Sequence, residues 1–419
     1  MLIIFDLDGT LYKTETSVVP AVRKALQEIH APIPEEDEIK AFIGRPMDEF
    51  CYTLLGDRDG HRFQRFRDAV RLYEREEICR NPQPYPGIIT VLEHLAQDGH
   101  ELAICSNASV EYIQLVLDRC HITKYFTHIK GREDHQSKAD RVADLLETLL
   151  PSEGVVIGDT FEDVEAAKAH HLPSIVVQWG YGHQPVDVVS FHVQKAAEIM
   201  SVIERIQLCG LIHKQLEHFK FPVIIGINGV DTSGKTEFAN CLATYLEAKG
   251  RNTQVIHLDD FHNPLSLRRQ GRNEQEAYID HAFNLNLLTE AILDPVHGKQ
   301  AVDVQLDLLD VDTDTYTNKK HYVIDQQTVV IVEGTLLYRE PLIERIDYKI
   351  YLDISFEEVI RRARQRDVPK YGAAILQKYQ QKYIPIQNWY IEKYAPHRIC
   401  NLVIDNENHE RPKVKHIMG

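Results

Sequence analysis

Asp6-Leu7-Asp8-Gly9-Thr10 follows directly on the apolar run Leu2-Ile3-Ile4-Phe5. Two carboxylates two residues apart, at the end of a strand, suit the removal of a phosphoryl group from an ester. Uncatalysed phosphomonoester hydrolysis is so slow that enzymes accelerate it by up to about 10²¹-fold. A route through an aspartyl-phosphate divides that barrier into two smaller ones. Asp6 is the expected nucleophile. Asp8 is placed to protonate the leaving oxygen and then to deprotonate the attacking water. Gly9 lets the backbone approach the phosphate closely.

Three later segments extend this set. Ser106-Asn107 offers a hydroxyl and an amide for phosphate oxygens, with Asn107 as a substrate-binding candidate. Lys138 opens a helical stretch and supplies a cation for developing phosphoryl charge. Gly158-Asp159-Thr160-Phe161-Glu162-Asp163 adds two acids after another apolar run. Each segment alone also reads as an ordinary helix cap; their joint order behind successive strands favours a site. Carboxylates about 4 Å apart repel by roughly 4 kcal/mol per pair at an effective dielectric near 20. Four of them, Asp6, Asp8, Asp159 and Asp163, are therefore expected to converge on a cation. All-oxygen ligands beside a phosphate point to Mg²⁺.

A second phosphate motif of opposite purpose lies in the latter half. Gly229-Val230-Asp231-Thr232-Ser233-Gly234-Lys235-Thr236 fits GxxxxGK[ST], follows the apolar run 223–227 and opens a helix. Its amides, with Gly229, Asp231, Ser233 and Gly234, are expected to cradle the phosphates of ATP. Lys235 would bridge the outer two and Thr236 would ligate Mg²⁺. Asp259, in Leu258-Asp259-Asp260-Phe261-His262, is the candidate base for an acceptor hydroxyl. Asp280 marks an acceptor pocket, and Glu333 supports the metal or the acceptor. Arg362 and Arg366, within an arginine run that also reads as a solvated face, are expected as mobile cations closing over the transferred group.

The elements that must position these groups alternate between short apolar runs and helical patterns, which indicates α/β architecture with parallel sheets. Strands are expected at 2–5, 102–105, 155–158 and 174–178, then at 223–227, 254–258, 328–332, 349–352 and 402–404. Between them, residues 13–80 are charged, helical and strand-poor, with amphipathic helices at 20–30 and 62–79. This segment reads as a separately folding cap over the first site. A helical stretch at 196–219, ended by Pro222, is the expected connector. The expected domains are 1–205 and 220–419, joined through 206–219.

At 419 residues the chain exceeds one ordinary core, at roughly 150 residues per domain. A net charge of −16 argues against a large nucleic-acid groove. The seven cysteines are scattered without a CxxC pair, so neither a zinc site nor a disulfide framework is indicated. No apolar stretch reaches the roughly 18–20 residues that span a bilayer. The first strand begins at the N-terminus without room for a secretion signal, and a cytoplasmic location is the expectation.

The first set of motifs resembles the haloacid dehalogenase-like phosphatases over residues 1 to about 200. Within them it is similar to the phosphoglycolate phosphatase-like branch, through the inserted helical cap, Ile43-Gly44-Arg45-Pro46 and Trp179-Gly180-Tyr181-Gly182. The resemblance implies a Rossmann-like core. It also implies that Asp6, Asp8 and Asp159 bind or support Mg²⁺, with Asp8 contributing its carbonyl and Asp163 assisting. Residues 220 to about 408 resemble the uridine kinase and phosphoribulokinase family of P-loop kinases. The matching segments are the cradle, Asp259-Asp260-Phe261-His262-Asn263-Pro264, Tyr278-Ile279-Asp280-His281, Val332-Glu333-Gly334 and Leu402-Val403-Ile404-Asp405-Asn406. That resemblance implies ATP as donor and a small hydroxylated acceptor, nucleoside-like or sugar-like. Departures from the family pattern are Asp260 and His262, where nucleoside kinases carry Ser and Tyr. Lys378 and Lys382 likewise stand where related chains carry arginine.

The expected protein is thus a bifunctional enzyme of two three-layer α/β domains. One would act on a small phosphorylated metabolite, the other on ATP and a small hydroxyl acceptor. The alternatives are a polynucleotide kinase-phosphatase for nucleic-acid ends, which the acidic balance disfavours, and a regulatory protein whose ATP binding gates the phosphatase. Neither substrate nor the oligomeric state is legible.

Overall fold

The computed structural model describes residues 1–44, 47–55, 60–182 and 189–418. It divides into two compact units, Met1–Ile203 and Glu204–Gly419. Among the described residues no helix is long and apolar enough to cross a membrane.

The first unit is built on six strands: β1 Leu2–Phe5, β2 Glu101–Cys105, β3 His128–Lys130, β4 Gly154–Gly158, β5 Ser174–Val177 and β6 Phe191–Val193. They form one parallel sheet in the order β3-β2-β1-β4-β5-β6. β1 is central and buried on both faces, as a continuous apolar run requires in a parallel sheet. Leu2 and Ile4 share one face with Ala103, Cys105 and Val156. That face packs under Val142 and Leu145 of the helix Lys138–Leu149. The chain leaves β1 toward β2 and later returns to pair β4 on its other side. A crevice therefore opens beyond the end of β1, where ligands of such sheets bind.

The inserted segment has a hydrophobic core of its own. Val18, Val22 and Leu26 of the helix Glu15–Glu28 pack against Phe63, Phe66 and Val70 of the helix His61–Arg80. The first of these helices begins five residues before the expected start at Pro20 and carries that proline in its interior. A proline there forfeits one backbone hydrogen bond. The buried apolar stripe against the partner helix offsets that loss. Of the Ile43-Gly44-Arg45-Pro46 motif, Arg45 and Pro46 lie outside the described residues.

The second unit contains β7 Val223–Gly229, β8 Thr253–His257, a pair β9 Val302–Asp310 and β10 Thr315–Ile324, then β11 Val329–Gly334, β12 Tyr348–Asp353, β13 Leu402–Asp405 and β14 Lys413–Ile417. Its main sheet has the order β14-β13-β12-β7-β11-β8, parallel except for the antiparallel β14 at one edge. β9 and β10 form a separate antiparallel hairpin. The helix Glu198–Leu216 begins in the first unit and ends in the second.

Strands β3, β6, β9, β10 and β14 add to those expected from the sequence. β3 and β6 have three residues each, too few to display a period. The hairpin did carry a signal, since Val302, Val304, Leu306 and Leu308 alternate with Asp303, Gln305 and Asp307.

Candidate active sites

The first site assembles at the carboxyl ends of β1, β2 and β4. Asp6 follows β1, Ser106 follows β2, and Asp159 follows β4. Lys138 sits at the first position of its helix, and its Nζ lies 2.6 Å from Asp6 Oδ1 and 2.5 Å from Asp163 Oδ1. Asp6, Asp159 and Asp163 each present a carboxylate oxygen within 4.8 Å of the others, and all three are buried. Asp163 also caps its helix, its Oδ2 accepting from the amide and hydroxyl of Thr160 at 3.0 and 2.7 Å. It is both a cap and a member of the cluster.

The expected meeting of four carboxylates is corrected to three. Asp8 turns its side chain away, and its Oδ1 accepts from Thr14 Oγ1 at 2.6 Å and from Tyr112 Oη at 3.1 Å. The physical reason is that both acids lie beyond the end of β1, where the chain turns back on the Leu7 carbonyl and the strand's two-residue alternation, which would put them on one face, no longer holds. Asp6 thereby joins the cluster while Asp8 faces the cap.

The electrostatics follow from burial. Desolvation pushes the carboxyl of Asp6 well above the usual range, with Lys138 opposing and the neighbouring acids adding to the rise. Burial and then Asp163 push Asp159 up to about 7. Burial opposes the charge on Lys138, but Asp163 and Asp6 outweigh it and hold the ammonium protonated. With all three carboxylates ionised, one ammonium would leave two negative charges uncompensated. Their all-oxygen donor set fits a hard divalent cation such as Mg²⁺.

The surrounding turns are built for close approach. Gly9 has φ +78°, and a side chain there would run into Asp159 and Tyr181. Asp159 Oδ2 accepts from the amides of Tyr181 and Gly182 at 2.7 and 3.1 Å, which ties the Trp179-Gly180-Tyr181-Gly182 turn to the cluster. Asn107 is engaged on both ends, donating to Glu162 Oε2 at 2.5 Å and accepting from Arg141 Nη2 at 2.6 Å. Ser106 is buried, with its Oγ 3.3 Å from the amide of Ala108.

Sequence reading missed Arg141, which is 1% exposed and donates to the Ser106 carbonyl at 3.1 Å from beneath this loop. Its position three residues after Lys138, on the same helix face, was the available signal. Tyr112 and Glu74 were also missed. A cleft of about 570 Å³ lies between cap and core, walled by Asp8, Glu74, Tyr112, Arg71, Arg75 and Arg132 together with Ile39, Phe42 and Ile78.

The second site follows the same plan with different groups. The loop after β7 turns into the helix Lys235–Ala248 at Gly234, whose φ of +90° suits a residue without a Cβ. Lys235 Nζ folds onto the loop, donating to the Val230 carbonyl at 2.9 Å. Thr236 Oγ1 donates to Glu333 Oε1 at 2.9 Å, at the end of β11. His257 Nδ1, at the end of β8, lies 2.8 Å from the same oxygen. Burial alone would push the Glu333 carboxyl up, but His257, Lys235 and Thr236 more than offset it and leave it below its usual value. Asp231 accepts from Gln387 Nε2 at 2.7 Å, and Ser233 is buried with its carbonyl accepting from Asn406 Nδ2 at 2.7 Å.

Asp259 and Asp260 line a cavity of about 420 Å³ with Leu309, Asp310, Thr317 and Asn318 of the β9–β10 hairpin. Lys320 of that hairpin pairs with Asp260 at 3.1 Å. Asp280 is exposed on the helix Glu274–His281 and does not line this cavity.

The two arginines expected as mobile cations are both hydrogen-bonded in this structure. Arg362 is pinned by Glu358 at 2.6 Å and by the carbonyls of Thr232, Asn406 and Glu407 at 3.2, 2.5 and 3.3 Å. Arg366 holds Asp367 through two bonds of 2.7 and 3.0 Å. Both belong to a helix, Phe356–Arg366, whose Val359 and Ala363 pack with Val230 of the phosphate loop. That packing sets the helix beside the phosphate loop.

Residues 3–177 match the family model described as haloacid dehalogenase-like hydrolase, and residues 224–393 match that of the phosphoribulokinase / uridine kinase family. Tyrosine-protein kinase PtkA of Mycobacterium tuberculosis is 32% identical over 190 residues, 43% of this chain and 63% of that protein. This chain therefore covers less than two thirds of PtkA. The phosphoglycolate phosphatase of Aquifex aeolicus is 27% identical over 212 residues, 48% of this chain and 96% of that protein. A solved structure of a possible uridine kinase from Bacillus stearothermophilus is 24% identical and covers 48% of this chain and 98% of that one, with a TM-score of 0.39. The chain thus joins a haloacid dehalogenase-like hydrolase domain to a domain of the phosphoribulokinase/uridine kinase family.

Proposed function

We propose that this protein is a bifunctional enzyme, a phosphomonoester phosphatase in its first unit and an ATP-dependent kinase of a small hydroxylated acceptor in its second. The observation that carries the first half is Lys138, buried between Asp6 and Asp163 at the end of β1. Lys138 holds one oxygen of Asp6, and the other attacks phosphorus. The ester P–O bond breaks, Asp8 gives its proton to the departing oxygen, and Asp6 carries the phosphoryl group. A water then attacks that group, Asp8 takes the water proton, and inorganic phosphate leaves. Asp6 and Asp159, with Asp163 in support, would hold Mg²⁺, which when bound neutralises phosphoryl charge.

In the second unit the amides from Gly229 to Thr236 cradle the phosphates of ATP. Asp259 takes the proton of the acceptor hydroxyl as the γ-phosphoryl moves to it and ADP departs. Arg362 and Arg366 supply positive charge beside the loop. Thr236 and Glu333 would hold Mg²⁺ in this unit. The cavity beside Asp259 has room for a small polyol or nucleoside, and its acids suit hydroxyl groups.

The full chain is assayed with p-nitrophenyl phosphate and, separately, with ATP and a panel of nucleosides and sugars. Phosphate release that survives Asp6→Asn, or ATP turnover that is independent of any acceptor, would remove the corresponding half. A second reading comes from PtkA, whose name assigns it tyrosine phosphorylation. ATP-dependent labelling of tyrosine by a Lys235→Ala chain would place that activity in the first unit.

A further inference from the structure

Tyr112 stands between two carboxyl groups. Its Oη is 3.1 Å from Asp8 Oδ1 and 3.3 Å from Glu74 Oε1. A phenol donates one proton. Two hydrogen bonds along the series Asp8, Tyr112 and Glu74 need two protons, so one carboxyl must supply the second. Glu74 is the group placed to do so. It comes from the cap helix His61–Arg80, is 7% exposed, and makes no ion pair among the described residues. Burial, the largest cause, raises its pKa above the ordinary carboxyl value. The chain then runs from the Glu74 carboxyl O–H to Tyr112 Oη, and from the Tyr112 O–H to Asp8 Oδ1.

Thr14 Oγ1 also donates to Asp8 Oδ1, at 2.6 Å. With two donors directed at Oδ1, the proton that Asp8 delivers to a leaving group resides on Oδ2. We propose that Glu74, in its neutral form, is a positioning residue that acts through Tyr112 to fix which oxygen of Asp8 carries the transferable proton. This inference rests on the phosphatase reading above. Glu74 belongs to the cap, whereas Tyr112 and Asp8 belong to the core. The hydrogen-bonded series is therefore complete only when the cap is seated, which couples proton delivery to enclosure of the substrate.

The test compares Tyr112→Phe, Glu74→Ala and Glu74→Gln in the Mg²⁺-loaded full chain on two esters. p-Nitrophenyl phosphate has a leaving group that needs little protonation, and β-glycerophosphate has one that needs much. Tyr112→Phe and Glu74→Ala are expected to lower kcat on β-glycerophosphate by about tenfold or more, and to change it less than about twofold on the aryl ester. Glu74→Gln is expected to stay near wild type on both, because an amide N–H replaces the carboxyl O–H. An infrared difference spectrum between wild type and Glu74→Gln at neutral pH should show the C=O stretch of a protonated carboxyl. Absence of that band, equal losses on both esters, or a Glu74→Gln defect as large as that of Glu74→Ala would overturn the proposal. Wild-type failure on both esters would instead strike the phosphatase reading, and the infrared band would still decide the state of Glu74.

Discussion

Thr236 Oγ1 donates to Glu333 Oε1 at 2.9 Å, joining the last residue of the phosphate loop to the end of the neighbouring strand β11. His257 shares that oxygen from the end of β8. Three adjacent strands thus fix one carboxylate beside the hydroxyl expected to hold Mg²⁺. Glu333→Gln removes the charge and leaves the shape. The Mg²⁺ concentration for half-maximal kinase activity should rise roughly tenfold or more, as for other residues that orient a metal ligand. A Mg²⁺ titration of ATP turnover checks this, and an unchanged requirement would exclude Glu333 from the metal site.

The two chemistries should separate by mutation. Asp6→Asn removes the proposed nucleophile and is expected to abolish phosphatase turnover while kinase turnover persists. Lys235→Ala should do the reverse, because no other cation of the loop replaces its contact with the outer phosphates. Parallel assays of both variants give the answer.

The cleft of the first site has Arg71, Arg75 and Arg132 along its wall beside an apolar side formed by Ile39, Phe42 and Ile78. These three guanidinium groups favour esters that carry a second anionic group. For such substrates Arg71→Ala or Arg75→Ala should raise KM by about tenfold, the equivalent of roughly 1.4 kcal/mol for a charge-assisted hydrogen bond. The KM for p-nitrophenyl phosphate should change little. Equal effects on both substrate types would argue against anion recognition.

Glu358 binds Arg361 Nη2 and Arg362 Nε, each at 2.6 Å. Arg361 foremost, with Arg362, holds its carboxyl at about 2, against an ordinary 4.5, although burial works the other way. A folded value below the unfolded one stabilises the fold fully above pH 4.5, and the contribution is lost as pH falls toward 2. Glu358→Gln should cost about 1 kcal/mol at neutral pH, because Arg361 is half exposed and its pairing is screened. The loss should vanish at the acid end. Urea unfolding of both forms across this range measures it.

Much of each site was legible in the chain itself because phosphate chemistry is concentrated in short segments. Asp6 to Thr10 and Gly229 to Thr236 each concentrate their proposed chemistry in the few residues at and beyond the end of one strand. Local sequence settles such a turn, since the strand is a bare apolar run and the turn needs glycine at Gly9 or Gly234. Lys138 and Asp163 were likewise readable, as polar residues opening helices behind strands. The directions of the side chains were not. Nothing in a linear motif shows that Asp8 turns from Asp6 toward Thr14 and Tyr112, or that Arg362 is fastened to the carbonyl of Thr232.

The remaining site residues come from elements whose meeting is a tertiary event. Glu74 lies 66 positions after Asp8, on a helix with a core of its own, and its burial depends on where that helix rests. The β9–β10 hairpin reaches the cavity of Asp259 only because Lys320 and its neighbours fold back across some sixty residues. Sequence alone therefore determined which chemical groups stand at the strand ends, since that depends on neighbours within a few residues. Tertiary structure decided the partners that set charge and proton position, because burial and hydrogen-bond count exist only once distant segments pack together.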